Sequence, residues 1–520
     1  MDDDRATAQE AMARDFGVLT DLVRDHAQRD PRHLALDDGT HALDYGALDA
    51  LMDRVAAALQ RDGIESGDAI AICALSSTRY AAVFLGALRA GAAVAPLAPG
   101  STPASLVRMV DDAQARVLFV DGANGASFDD ADAQRVQRVV LDGIDFERWL
   151  MPPGSVPRRV EPAPDAPFNI IYSSGTTGEP KGIVQPHAMR WAHVRRGATY
   201  GYGPQGVTLL ATPLYSNTTL VVFFPTLAWG GSVLLMGRFD AAGYLRLAEQ
   251  RRVTHTMLVP VQYRRLMARA DFDAHDLSAF QVKFCTSAPF DAALKADVLA
   301  RWPGGLVEFY GMTEGGGTCI LEAHRHPDKL HTVGQPAEGH DIRLIDETGT
   351  EVGPGEAGEV VGASASMMSG YHRQPQRSRE AEWFDACGKR FIRTGDIGRF
   401  DADGFLTLFD RKKDMVISGG FNIYPSDLEA VLQAHPDVAE AAVIAAPSAQ
   451  WGETPVAFVV LEPPATCGRD ALLAWANGQL GKTQRLAALH LIDALPRSAI
   501  GKVLKRELRE RHLAMNPNPD

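Results

Sequence analysis

Apolar residues recur at helical spacing over residues 45–62 (YGALDALMDRVAAALQRD), which predicts an amphipathic helix. Residues 68–75 (DAIAICAL) form a short apolar run of strand length, and 79–90 predict a second helix. Residues 93–97 and 116–120 read as two further strands. This alternation of strand and helix predicts a layered, mostly parallel sheet. Residues 151–167, rich in Pro and charge, predict a surface connection. The most apolar stretch, 220–236, contains Pro225 and the Gly230-Gly231 pair, and predicts a buried helix turning into a strand.

The α/β pattern continues to about Tyr310. From His340 the texture changes to short alternating strands between Gly turns (DIRLID, GEVVG, RFIRTGD, FLTLFD), which predicts a β-rich subdomain. After Arg411 come a helix (425–434), strands (438–446 and 455–461), a helix (470–480) and a basic tail, the pattern of a small α+β unit. The fold class expected is therefore α/β, with a large N-terminal domain (1–410) and a small C-terminal domain (411–520).

Composition narrows the function. The 520 residues are 46% hydrophobic and 22% charged, ordinary for a globular chain with ample core. A net charge of -13 argues against binding a nucleic-acid backbone. Cys73, Cys285, Cys319, Cys387 and Cys467 form no CxxC pair, so neither a disulfide framework nor a zinc site is expected. Residues 1–16 are acidic and Ala-rich, unlike a secretory leader. The expectation is a cytoplasmic protein, monomeric or homodimeric, without a membrane span.

The chemistry begins after the apolar run ending in Ile170-Ile171. Ser173, Ser174, Gly175, Thr176, Thr177, Gly178 and Lys181 lie in Tyr-Ser-Ser-Gly-Thr-Thr-Gly-Glu-Pro-Lys-Gly. Glycines let backbone N–H groups approach a ligand, successive N–H groups make an anion-binding concavity, and the lysine adds a point charge. Lys181 is followed by Gly182, so the pattern is not that of a P-loop.

This segment resembles the phosphate loop of the adenylate-forming superfamily of acyl- and aryl-CoA ligases, peptide-synthetase adenylation domains and beetle luciferases. Further motifs follow in the same order over most of the chain. Tyr310-Gly311-Met312-Thr313-Glu314 follows a strand-like run, where α/β proteins bind ligands. The resemblance implies that Tyr310 lies against adenine, Thr313 contacts the α-phosphate and Glu314 helps hold Mg²⁺. A helix N-cap is the alternative reading of Thr313 taken alone.

The resemblance also implies that Ser287-Ala288-Pro289 lies along the adenine and acyl pocket, and that Asp396 and Arg411 hold the ribose. Asp410 occupies the position of a hinge. Ser418-Gly419-Gly420-Phe421 implies a turn that helps form the pantetheine tunnel for coenzyme A. Lys502 implies a charge that bridges the acid carboxylate and the phosphate; in isolation it would be a solvated lysine.

One position departs from the pattern. Many acyl-CoA ligases carry an aromatic-His pair after Pro-Leu, whereas this chain has Tyr215-Ser216-Asn217, so the role of that His does not transfer. The acid pocket is expected from Tyr215, Ser216, Asn217, Cys285, Gly315 and Gly316. The three glycines 315–317 are expected to leave room for a hydrophobic monocarboxylate. The implied activity is an ATP- and Mg²⁺-dependent acid–thiol ligase that forms acyl-AMP and passes the acyl group to coenzyme A. Loading of a carrier protein is the nearest alternative, and a nucleotide-binding regulator without catalysis is one of another class.

Overall fold

The computed structural model describes residues 13–128, 136–173, 181–411, 414–418, 421–448, 450–465, 467–481, 484–498 and 501–515. Ser174, Gly175, Thr176, Thr177, Gly178, Gly419 and Gly420 lie outside the described residues, and of Ser173, Asp410, Arg411 and Phe421 only the backbone is described. The chain divides into two compact units, Met1–Ile342 with Gly362–Ile392, and Arg343–Val361 with Arg393–Asp520.

The first unit holds two large sheets. In the nine-stranded one, six strands run parallel in the order Gly305–Tyr310, Val282–Cys285, His255–Leu258, Val207–Leu210, Ser232–Leu235 and Leu34–Asp37. Cys319–Glu322 and then Gln335–Pro336 continue one edge antiparallel, and Ala42–Asp44 the other. The seven-stranded sheet has a parallel set of Pro167–Ser173, Ala93–Pro96, Ala69–Cys73, Val117–Val120 and Gln137–Val140. Lys181–Pro186 and Gly370–Tyr371 add antiparallel strands on one side.

The inner strands are fully buried, as strands covered on both faces are, and Ala69–Cys73 is wholly apolar. Helices Tyr45–Arg61 and Thr78–Ala90 share one hydrophobic core with residues of both sheets. Asp44 caps the first helix by accepting the Ala47 N–H at 2.7 Å, and Ser77 caps the second through Tyr80. The helices approach closely at Gly86, where a Cβ would stand 2.6 Å from Val55 Cγ1. Residues 220–236 divide as expected between the helix Asn217–Ala228 and the strand Ser232–Leu235. Among the described residues, no helix is long and apolar enough to cross a membrane.

In the second unit, Leu406–Arg411 pairs antiparallel with Arg390–Phe400, and Asp396 stands opposite Arg411. The C-terminal sheet pairs Val438–Ser448 with Gly452–Leu461, with Ala488–Leu491 parallel beside the latter. Helices Pro425–Gln433 and Arg469–Gln479 pack on it around Leu428, Leu432, Leu472 and Ala476. The basic tail forms the helix Lys505–Met515, tied down by Lys505 to Glu429 at 2.9 Å and Arg509 to Asp414 at 2.6 Å.

The β-rich texture after His340 is present, with one difference. Gly370–Tyr371 does not stay with its sequence neighbours but extends the seven-stranded sheet, pairing with Ile183 and Val184. That excursion carries Tyr371 to the start of the phosphate-loop strand.

Candidate active site

The strand Pro167–Ser173 leads into the Gly-rich segment, and Lys181–Pro186 leads out of it antiparallel, with Ser173 opposite Lys181. The loop is thus the connection of a β-hairpin, and the lysine sits on its exit strand. Lys181 Nζ lies 5.2 Å from the centre of the Tyr371 ring, within cation–π range. The Tyr371 hydroxyl donates to Glu314 Oε1 at 2.9 Å. Burial, and then the Glu314 charge, push the Tyr371 phenol far up, so it stays a donor at neutral pH. The Met368 N–H also donates to the Glu314 carbonyl at 2.8 Å. A cation, a phenol and a carboxylate are therefore held together at the mouth of the Gly-rich hairpin.

Tyr310 ends the strand Gly305–Tyr310, and Gly311 to Gly317 turn into the antiparallel strand Cys319–Glu322. No helix begins at Thr313, so its reading as an N-cap does not hold. Its carbonyl is fixed from beneath instead, by the Gln185 Nε2 group at 2.6 Å. Gln185 belongs to a buried polar network. Asn169 Nδ2 donates to Gln185 Oε1 at 2.8 Å, Arg190 Nε donates to Asn169 Oδ1 at 2.9 Å, and Arg190 Nη2 donates to Gln185 Oε1. Gln185 Nε2 reaches Asn217 Oδ1 as well, at 3.3 Å. The fully buried amide thus ties together two site residues from distant parts of the chain.

The acid-end residues lie close by. Ser216 is buried and precedes the helix that opens at Asn217, and Tyr215 is partly buried, its phenol pushed up by burial and then by Cys73. Thr218 and Ser287 share a hydroxyl–hydroxyl hydrogen bond of 2.5 Å. Ser287 has φ +84°, a left-handed conformation unusual for a residue with a side chain, at the start of the Ser287-Ala288-Pro289 turn. Cys285 is fully buried at the end of its strand, and burial, then Glu308, hold its thiol well above the ordinary range.

The glycines after Glu314 require a correction. They do not open space for the acid. A Cβ on Gly315 would lie 2.0 Å from the Ser366 carbonyl oxygen, one on Gly316 2.8 Å from that of Gly362, and one on Gly317 2.6 Å from Ile342 Cγ1. The missing side chains admit the protein's own backbone at Gly315 and Gly316 and the Ile342 side chain at Gly317, and Gly315 forms a bridge with Met367. Their function is close approach of two chain segments, which locks the turn carrying Thr313 and Glu314.

In the second unit, Asp396 sits in the middle of a long strand, not in a turn, and its N–H donates to Thr394 Oγ1 at 3.0 Å. Asp410 stands opposite Ile397 in the same pairing. Ser418 pairs with both Phe421 and Gly452. Lys502 is exposed in a tight turn. The Ser498 N–H donates to the Lys502 carbonyl at 2.8 Å, and the Lys502 N–H donates to Ser498 Oγ at 3.2 Å. Arg497 braces that turn, donating to the Gly501 carbonyl at 2.7 Å and to Glu440 at 2.9 Å.

The first unit therefore brings together Lys181, Glu314, Thr313, Asn217 and Ser287, while Asp396, Arg411, Ser418 and Lys502 belong to the second. Tyr371, Gln185, Asn169 and Arg190 were missed in the sequence. A polar residue inside an otherwise apolar strand, as in Phe-Asn-Ile-Ile and Ile-Val-Gln-Pro, was the available signal for two of them. A magnesium ion fits the donor set. Glu314 supplies one hard carboxylate beside the hairpin, and Mg²⁺ is typically bound by few protein carboxylates together with phosphate oxygens and water.

Residues 23–372 match the AMP-binding enzyme family, and residues 427–502 match the AMP-binding enzyme C-terminal domain. A feruloyl-CoA synthase of Amycolatopsis sp. is 33% identical over 496 residues, covering 93% of this chain and 97% of its own. The fatty acid–[acyl-carrier-protein] ligase ScoC of Streptomyces coeruleorubidus is 30% identical over 504 residues, covering 95% and 96%. The crystal structure of ATP-bound MatB from Rhodopseudomonas palustris superposes with a TM-score of 0.86 at 29% identity, covering 95% of this chain and 99% of that one. With both parts matched in order and relatives aligned along nearly the whole length, this chain belongs to the AMP-binding enzyme family.

Proposed function

We propose that this chain is an AMP-forming acyl-CoA synthetase. It activates a carboxylic acid with ATP and transfers the acyl group to coenzyme A. The observation that carries the reading is the cluster of Lys181, Tyr371 and Glu314 at the mouth of the Gly-rich hairpin, next to the pinned turn of Thr313. A cation and hydroxyl donors there suit a polyphosphate, and the carboxylate suits its metal ion.

In this reading the acid carboxylate attacks the α-phosphorus of ATP, forming the acyl–phosphate bond and breaking the bond to pyrophosphate. The Ser173–Lys181 loop holds the β- and γ-phosphates, Thr313 contacts the α-phosphate, and Tyr310 lies on the adenine. Asp396 and Arg411 hold the ribose. Glu314 would hold magnesium, which would supply neutralising charge at the phosphates. Lys502 screens the two anions that must meet, a contribution of about 10²–10³ in rate for one preorganised donor. Most of the catalysis is positioning and charge stabilisation.

The domains proposed are 1–410 and 411–520, with Asp410 as the pivot. Rotation of the small domain takes Lys502 away and brings the Ser418–Phe421 turn over the acyl-AMP. The thiol of coenzyme A then gives up its proton to solvent and attacks the acyl carbonyl, the thioester bond forms, and AMP leaves with the electrons of the broken acyl–phosphate bond. One site thereby serves two reactions through a conformational switch. A cytoplasmic setting, where ATP and coenzyme A are available, suits this chemistry.

A second reading has one observation in its favour. A relative of similar length is named as a ligase of fatty acids to acyl carrier protein. The deciding experiment supplies ATP, Mg²⁺ and a panel of acids, and follows pyrophosphate release with coenzyme A, with a phosphopantetheinylated carrier protein, or with neither. Acyl-CoA and AMP in equal amounts support the proposal. Acyl transfer to the carrier alone supports the second reading. No pyrophosphate with any acid refutes both and leaves a nucleotide-binding regulator.

A further inference from the structure

Behind the Tyr310 turn lies a cluster that the reaction described above does not use. The helix His187–Arg196 ends beneath the C-terminal end of the strand Gly305–Tyr310, and the Arg196 guanidinium lies 5.0 Å from the centre of the Phe309 ring. Phe309 stacks on Phe284 at 5.5 Å and meets Tyr200 edge-on at 5.9 Å. One turn earlier on the helix, His193 Nδ1 is buried without a hydrogen-bond partner. On the other side, His340 Nδ1 accepts the Thr318 N–H at 3.0 Å.

The cluster adjoins the acid end of the site. Thr286, the neighbour of Ser287, donates its hydroxyl to the Phe309 carbonyl at 2.8 Å. Thr318 closes on Gly311, where a Cβ would lie 3.4 Å from Thr318 Oγ1. The path from the Ser287–Thr218 hydroxyl pair to Arg196 therefore runs through Thr286 and Phe309.

Arg196 is a largely buried cation that keeps some exposed surface. Among the described residues it makes no hydrogen bond and no ion pair, and the phenols of Tyr200 and Tyr202 beside it are pushed up by burial and stay neutral. Glu322, the carboxylate felt by Tyr200, is engaged by Arg325 at 2.9 Å. His193 and His340 are held neutral by burial and then by Arg196, so they add donors and acceptors but no charge. A guanidinium carries five N–H donors and does not give up its proton. Leaving it desolvated and unpaired is costly, and proteins retain such a group where something else completes it. Neither Arg196 nor His193 is fully covered, so each retains surface for a ligand atom.

We propose that Arg196, with His193 beside it, selects an acid that bears a second anionic group, a carboxylate or sulfonate, at the end remote from the carboxyl that is activated. This rests on the acyl-activating reading above and deepens it. It replaces the hydrophobic monocarboxylate expected from the three glycines, whose side-chain space is filled by backbone at Gly315 and Gly316 and by Ile342 at Gly317. The Phe309 ring, backed by the buried Phe284, takes the middle of the acid, and Arg196 takes the far oxygens in a bidentate contact.

The test measures pyrophosphate release with α,ω-dicarboxylates and ω-sulfonocarboxylates of graded length, each paired with the monocarboxylate of equal length. Wild-type protein should favour one length of the doubly anionic series over its monocarboxylate by about 10- to 100-fold in kcat/KM. Arg196→Met should collapse that ratio to near one, mainly through KM, and Arg196→Lys should keep part of it. A wild-type preference for the monocarboxylates overturns the proposal, as does an Arg196→Met variant that slows both series equally, the result expected of a brace under Phe309. If Arg196→Met does not fold, the wild-type ratio alone decides. Pyrophosphate release with monocarboxylates only refutes this inference and leaves the function standing, whereas no release with any acid refutes the function itself.

Discussion

The Tyr371 hydroxyl donates to Glu314 Oε1 at 2.9 Å, while the face of the same ring receives Lys181. One tyrosine, far in sequence from both, thus fixes the spacing of the phosphate-loop lysine and the carboxylate that suits a metal. Its removal should be felt in the use of Mg·ATP and not in acid binding. Tyr371→Phe keeps the ring and loses a charge-assisted hydrogen bond, and should lower kcat/KM for ATP about 10-fold. Tyr371→Leu also removes the platform for Lys181 and should cost more. Initial-rate kinetics across Mg²⁺ concentrations will show whether the loss tracks the metal, as expected.

Gln185 holds the Thr313 carbonyl and Asn217 at once, with Arg190 and Asn169 bonded behind it. Gln185→Leu keeps the approximate volume but strands several buried partners. It should destabilise the fold by about 1–3 kcal/mol, read from denaturant unfolding, and slow adenylation as the Thr313 turn loosens. Unchanged stability would mean that the network is reorganised by water.

Gly315 has φ +76° and faces the Ser366 carbonyl oxygen where a Cβ would be. Both the backbone conformation and the contact exclude a side chain. Gly315→Ala should cost about 2–4 kcal/mol of stability or displace the turn so that activity is lost, measured by thermal melting together with pyrophosphate release. Tolerance of Ala here would contradict the correction made for these glycines.

Burial holds His187 at a pKa of about 4, below its usual value, and His255 likewise despite the help of the Tyr200 carbonyl. A base whose folded pKa is depressed binds fewer protons in the folded than in the unfolded state between about pH 4 and 6.5. Stability therefore rises with pH across that window and is lost as pH falls through it. His187 stacks edge-on against Phe168 at 5.0 Å, so His187→Phe is a compatible replacement. It should shrink the stability difference between pH 7 and pH 5 by about 1–2 kcal/mol, read from urea unfolding at the two pH values.

The motifs proposed to touch ligand stand out in the sequence because their residue types announce chemistry: Gly and hydroxyl runs before Lys181, an aromatic and a carboxylate around Gly311, a lysine after Gly501. The helices at 45–61 and 78–90 were legible from period alone. What supports the site was not. Tyr371, Gln185 and Arg190 are ordinary residues singly, and their meaning lies in contacts between segments as far apart as Lys181 and Tyr371. The glycines misled for the same reason, since a missing side chain does not say what fills its place. Arg196 was silent too, because an unpaired cation is recognised only once its surroundings are known.

The central claim is that two half-reactions share one site and that Lys502 serves only the first. Lys502→Ala should lower acid-dependent pyrophosphate release by about 10²–10³. The same protein, given synthetic acyl-AMP and coenzyme A, should form acyl-CoA at close to the wild-type rate, while Gly420→Trp should show the opposite pattern. The most direct measurement is the ratio of the two half-reaction rates in Lys502→Ala. The account predicts a fall of two orders of magnitude or more in the first with the second retained, and equal loss of both would contradict it.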